Sequence, residues 1–200
     1  MATNLDTLIA AIPTAEDGHV ISREYHNSLR AALAEMASRL SATAGQTGAT
    51  TFAPTFSPNV PQPPWVITVG VADKTSQTGA DGWLSISLPD GARIQGMTVK
   101  GGRSGAAPIF QIQLIRQSLD DPTASVTLIS IPGLTTPAME RDPFEAKGLP
   151  QVAGITSPAA LNEILTVNNS DFKYLVRARL VGAPTDATVR IYGVRVEYLR

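Results

Sequence analysis

The sequence contains no cysteine and few charged side chains. The absence of cysteine from all 200 residues excludes a disulfide framework, a thiolate metal site and a thiol nucleophile. Charged residues make up 16% of the chain, against roughly 25% in an average globular protein. Because 16 basic and 17 acidic side chains leave a net charge of −1, the composition argues against nucleic-acid binding. A sparsely charged surface tends to self-associate, so we expect a partner or further copies to cover part of it.

Long apolar runs and export signals are also missing. No uninterrupted apolar run approaches the roughly 20 residues of a membrane helix, so we predict no membrane partner. The first residues lack the basic segment and apolar core of a signal peptide, which favours a chain made in the cytoplasm. The only histidines, His19 and His26, lack the i, i+4 spacing of a helical metal pair. We therefore predict no metal and no cofactor.

Patterns that often carry catalysis are incomplete. The glycine-rich stretch 101–105 lacks the Lys-Ser/Thr ending of a phosphate loop, and we predict a hairpin loop there. No histidine occurs in residues 65–200, which excludes a Ser-His-Asp centre within that region. Asp90, Asp120 and Asp121 lie in turn-like sequences, which explain them better than carboxylate catalysis does. The sequence therefore predicts a protein that is not an enzyme, with no catalytic residues.

Residues 1–44 are predicted to form a helical segment for attachment or oligomerisation. Leu29, Leu33, Met36 and Leu40 follow one another at spacings of four, three and four. These spacings fit two heptads of a coiled coil, and they fit equally an amphipathic helix packed on its own domain. In the coiled-coil interpretation the four side chains form an oligomer or docking interface, and we favour a homotrimer.

Residues 45–64 are predicted to form an uncharged arm rich in glycine, threonine and proline. Five prolines between Pro54 and Pro64 stiffen it toward extended polyproline geometry. Because Phe52 and Phe56 are costly to leave in water, we expect them to extend the docking interface on the chain's own surface or a neighbour's. The alternative is an ordinary linker.

Residues 65–200 change to an apolar alternation of period two, which is typical of half-buried strands. Strands separated by turn signals, without a long helical period, predict a mainly β domain, an antiparallel β-sandwich of jelly-roll type. Residues 135–164 are predicted as a long loop with a short helix near Pro158, and residues 168–170 as a turn. The final strand is predicted to turn one set of side chains to the core: Tyr192, Val194, Val196 and Tyr198.

Four arginines near the C-terminus are expected to line one outer face of this domain. They either pair with charges across neighbouring strands or bind an anionic ligand or a neighbouring subunit. The four are Arg177, Arg179, Arg190 and Arg195.

Four segments have distinctive sequences: IPTAEDGHVISREYHNSLR at residues 12–30, LPDGARI at 88–94, VNNSDFKY at 167–174 and RIYGV at 190–194. These segments resemble small virion proteins of tailed bacteriophages. The resemblance implies a non-enzymatic structural protein of the virion, assembled in the host cytoplasm. It implies a capsid-surface decoration, a head fibre or a tail appendage, whose partners are copies of itself and other virion proteins such as major capsid or tail proteins.

The alternative function is a carbohydrate-binding module for adhesion to the host. Exposed aromatic side chains on loops would favour that function, because sugar rings stack on them. Aromatic residues make up only 6% of the chain, and most occupy alternating positions that are predicted to face the core. The composition therefore favours the structural role.

Overall fold

A computed structural model describes residues 27, 29, 31–33, 45–74, 78–104, 109–132 and 143–200. The chain divides into two compact units, Met1–Gln46 and Thr47–Arg200. In the first unit Asn27, Leu29 and residues 31–33 are helical, and the rest of the predicted helical segment lies outside the described residues.

The second unit is built from strands. The part of the chain that the structure describes contains β1 (Thr47–Phe52), β2 (Ser57–Pro58), β3 (Val66–Thr68), β4 (Val71–Asp73), β5 (Gly79–Ile86), β6 (Arg93–Ser104), β7 (Ile109–Ser118), β8 (Ser125–Ile131), β9 (Phe144–Gly148), β10 (Phe172–Val181) and β11 (Thr188–Leu199), with one helix, α1 (Pro158–Leu165).

These strands form two antiparallel sheets. Among the described residues, sheet A has six strands in the order β3-β4-β11-β6-β9, with β1 also paired to β11. Sheet B has five strands in the order β2-β5-β10-β7-β8. The prediction of a mainly β, antiparallel fold is confirmed. The jelly-roll connectivity and the N-terminal helical segment stay predictions.

Both sheets contribute side chains to one hydrophobic core. In sheet B the apolar residues of β10 and β7 alternate with polar ones, as the period-two pattern predicts. A row of aromatic rings links Phe56 to Trp65, Trp65 to Phe110 and Phe110 to Phe144, with centroids 6.1, 5.9 and 6.2 Å apart. Because Phe110 belongs to sheet B and Phe144 to sheet A, this row spans the core between the sheets.

The predicted arm at residues 45–64 is part of both sheets, which corrects the boundary predicted at residue 65. β1 pairs with β11 from Thr47 opposite Leu199 to Phe52 opposite Val194, and β2 pairs with β5. The prolines do not prevent this pairing, because β1 contains none and Pro58 lies at the end of the short edge strand β2. The second compact unit accordingly begins at Thr47.

The long loop predicted at residues 135–164 contains one strand and one helix in its described part. β9 pairs with β6, a partner that is far away in the sequence. The helix is confirmed and extends as α1 from Pro158 to Leu165, where the Ser157 hydroxyl accepts a hydrogen bond from the Ala160 amide.

The hairpin loop predicted at residues 101–105 is misplaced, because Gly101 and Gly102 belong to β6. A Cβ atom on Gly101 would lie 2.2 Å from the Arg190 carbonyl oxygen and 2.3 Å from the Phe144 ring. Glycine is therefore required at position 101 by the close approach of β11 and of the core, and not by a turn.

Candidate functional site

The residues predicted as a docking interface lie in both units. In the first unit Leu29 is half-buried, and Leu33 is 55% exposed on the helical stretch. Met36 and Leu40 lie outside the described residues. Leu33 is therefore an apolar side chain at the surface of the chain.

Phe52 and Phe56 contact the chain's own core. Phe56 is only 5% exposed and packs against Trp65, while Phe52 is half-buried against the core. The Trp65 indole also donates a hydrogen bond of 2.9 Å to the Ala178 carbonyl. Phe56 thus stabilises the β unit from within, which corrects its predicted place at a docking surface.

The four arginines do not share a face. Arg177 and Arg179 lie on β10 in sheet B, whereas Arg190 and Arg195 lie on β11 in sheet A. Arg190 pairs with Asp73 across the β4–β11 ladder, with 2.7 Å between Nε and Oδ1. Alternation along a strand contains no information on which sheet the strand joins.

Arg177 belongs to a polar cluster that is covered by the segment after β2. Its guanidinium donates two hydrogen bonds to Asp81, at 3.0 and 2.6 Å, and lies 5.0 Å from the Trp83 ring centroid. Asp81 is only 2% exposed and also accepts a 3.0 Å hydrogen bond from the Asn59 side chain. The hydrogen bonds from Arg177 to Asp81 raise the pKa of Arg177. The cluster therefore fastens the Asn59 segment to sheet B.

The segments at residues 88–94 and 167–174 contact each other. The Asn169 amide donates a 2.8 Å hydrogen bond to the Asp90 carboxylate, across 79 residues of sequence. The Asn169 side chain donates to the Leu88 carbonyl, and the Asn168 side chain accepts hydrogen bonds from the Ser170 and Asp171 amides. Residues 168–170 form the predicted turn, and the two similar segments make one hydrogen-bonded structural unit.

The buried side chain of Tyr174 contacts the turn at residues 168–170. Its hydroxyl accepts a 2.9 Å hydrogen bond from the Asn168 amide, and burial raises the pKa of the Tyr174 phenol above its ordinary value. The neutral phenol is thus favoured in the folded state. Its contribution to stability is complete below the unfolded-state pKa, about 10, and is lost as the pH rises through the higher folded-state pKa.

We expect Tyr174→Phe to lower the free energy of unfolding by about 1 kcal/mol at neutral pH, because the Asn168 amide loses its partner. The variant should also lose less stability than the parent chain between about pH 9 and pH 11. Urea denaturation across that range measures both effects. Identical pH profiles for the two chains would contradict this assignment.

A groove of about 310 Å³ lies on the outer face of sheet A, the face opposite the core. It forms where β11 is irregular: the register with β6 shifts between Ile191 and Gly193, so Tyr192 is the extra residue of a β-bulge. Along the other edge of β11, the pairing with β4 ends at Ile191 and the pairing with β1 starts at Val194. The groove is lined by Thr51, Thr98, Lys100, Tyr192, Gly193 and Arg195.

The bulge reverses the direction that simple alternation predicts for Tyr192. Val194, Val196 and Tyr198 face the core as predicted, but Tyr192 is 45% exposed and borders the groove. Gly193 was the available sequence signal, because a glycine inside a strand often marks a bulge. The prediction that Tyr192 faces the core was wrong because strict alternation does not account for the bulge.

The charges around the groove are mainly positive. Lys100 pairs with Glu145 at 3.0 Å, but both side chains are about 60% exposed, so the pair contributes little to stability. Arg195 is exposed, and its guanidinium has no hydrogen-bond or ion-pair partner among the residues that the structure describes. The groove therefore combines one exposed aromatic ring with two accessible cations.

Comparison with known proteins provides no family for this chain. It matches no family model, and a search of curated proteins finds no significant match. Among the described residues, no helix is long and apolar enough to span a membrane. In the same part of the chain, no three His, Cys, Asp or Glu side chains are grouped as metal ligands.

Proposed function

We propose that the chain is a non-enzymatic structural protein of a tailed-phage virion, either a capsid-surface decoration, a head fibre or a tail appendage. The observation that carries this proposal is the division into two compact units. The unit Thr47–Arg200 has a core of its own, while the predicted docking stripe belongs to Met1–Gln46. Such a division suits attachment by one unit and display of the other.

The sequence resemblance supports the same proposal. The similar segments at 88–94 and 167–174 form one hydrogen-bonded unit, so they have a shared structural reason to occur together. We interpret the two sheets with their common core as a β-sandwich of jelly-roll type. In this proposal it is displayed on the particle, while the N-terminal helical segment docks on a major capsid or tail protein.

The location is tested on particles of the phage that encodes the chain. Mass spectrometry of gradient-purified virions should detect the chain in fixed proportion to the major capsid protein, in copy numbers divisible by three. A chain that is abundant in the lysate and missing from purified virions would contradict the proposal.

We expect Leu33→Asp to disrupt the trimer. A leucine buried between chains contributes about 1.5–3 kcal/mol, and an aspartate would replace it with a desolvated charge at every copy. Because Leu33 is 55% exposed in the single chain, the substitution should leave the fold intact. Light scattering should then change from a multiple of 21.1 kDa to the mass of one chain.

The matched control is Ala31→Asp, which introduces the same charge at another exposed helical position outside the stripe. The control should keep the mass of the parent oligomer. Equal masses for Leu33→Asp and the parent chain would show that Leu33 is not part of the docking interface.

A further inference from the structure

We infer that the groove on the outer face of sheet A binds an acidic sugar, through the Tyr192 ring and the Arg195 guanidinium. The inference adds a ligand site to the proposed structural role and does not depend on it. It rests on the bulge that exposes Tyr192, on the missing side chain at Gly193 and on the cations at the rim.

The glycine at position 193 indicates that the groove is more than an irregularity in the pairing of β11. A Cβ atom at Gly193 would meet nothing closer than 3.7 Å, and its backbone does not lie in the left-handed region. By contrast, a Cβ at Gly101 or Gly148 would lie within 2.7 Å of neighbouring atoms. Neither packing nor backbone conformation demands glycine at position 193, and its effect is to leave the floor of the groove open.

The shape and the polar groups of the groove fit a sugar. A volume of about 310 Å³ is near the lower end of the roughly 300–1,000 Å³ of ligand pockets, which suits a mono- or disaccharide. An exposed tyrosine offers an apolar face for the C–H side of a sugar ring and a hydroxyl at its tip. Thr51, which is exposed, and Thr98, which is 6% exposed, also line the groove, and an accessible threonine hydroxyl can hydrogen-bond a sugar hydroxyl group.

The charge of the groove selects an acidic sugar over a neutral one. The Arg195 guanidinium is suited to a carboxylate, because it offers two parallel N–H donors. Among the described residues Lys100 is held only by an exposed ion pair with Glu145, so its ammonium can turn to a ligand at little cost. A larger groove of about 520 Å³ beside β8 lacks both features, since it is lined by Ser125, Val126, Thr127, Ser130, Gln151, Val152 and Ala153.

The test uses the full chain and four probes: glucuronate, N-acetylneuraminate, glucose and inorganic phosphate. Saturation-transfer difference NMR titrations should give millimolar dissociation constants for the two acidic sugars. Binding of glucose should be about tenfold weaker or more, because the charge-assisted hydrogen bonds are lost. Absence of binding by both acidic sugars would overturn the inference. Phosphate that displaces them at equal concentration would show a site for small anions, and would overturn it too.

Variants locate the binding in the groove. Arg195→Gln and Tyr192→Ala should each weaken binding of the acidic sugars about tenfold or more, and Gly193→Val should fill the floor and abolish it. The matched control is Arg179→Gln, which removes an exposed arginine from sheet B and should leave affinity unchanged. Equal affinities for Arg195→Gln and Arg179→Gln would overturn the inference, whatever the behaviour of the chain on the particle.

Discussion

A chain that begins at Thr47 is expected to unfold cooperatively, whereas a chain that begins at Trp65 is expected not to fold. The shorter chain lacks β1, so one edge of β11 loses its ladder from Val194 to Leu199, and only β6 remains paired there among the described strands. It also lacks Phe56, whose loss alone should cost about 3–5 kcal/mol. Because domains are stable by only about 5–15 kcal/mol, the combined losses should exceed the total.

Circular dichroism and urea denaturation of the two purified chains measure this difference. The chain from Thr47 should show one sigmoidal transition, and the chain from Trp65 should show none. Two transitions of similar midpoint would mean that residues 47–64 are dispensable, as the predicted arm implied. The single variant Phe56→Ala in the full chain provides a milder version of the same test, with an expected loss of about 3–5 kcal/mol.

Arg177→Met is expected to lower the free energy of unfolding by about 3–4 kcal/mol, and the melting temperature by roughly 6–16 °C. The substitution leaves the Asp81 carboxylate buried with only the Asn59 side chain as a hydrogen-bonding side-chain partner among the described residues. An uncompensated buried charge is more costly than the ion pair is worth, so most of the loss comes from Asp81.

The matched control is Arg179→Met, which removes an exposed arginine two residues away on the same strand. Its effect should stay within about 0.5 kcal/mol. The double variant Asp81→Asn with Arg177→Met should regain part of the loss, because the buried charge is gone. A thermal melt in which both single variants lose the same stability would contradict the role of the Asp81 cluster.

The inner strands β7 and β10 of sheet B were predictable from the sequence because each buries one face. Alternation of apolar and polar residues then follows from the geometry of a strand, as β10 and β7 show. The turn at 168–170 and the start of α1 were predictable for a similar reason, since Asn168 and Ser157 act on backbone amides close to them in sequence.

The missed features depend on contacts between residues far apart in the sequence. β1 contains glycine and threonine with little apolar content, and its strand conformation depends on pairing with β11. The exposure of Tyr192 depends on a register shift between β11 and β6, which no single strand encodes. The Asp81–Arg177 pair joins positions 96 residues apart, so no local pattern indicated it.

We propose that Met1–Gln46 attaches the chain to a particle and that Thr47–Arg200 is displayed there. Electron cryo-microscopy of particles assembled with the full chain, or with the chain that begins at Thr47, tests this arrangement directly. We expect outward density of the size of the β unit for the full chain, and bare particles for the shorter chain. The same density for both chains would contradict the arrangement, because attachment would then come from the β unit itself.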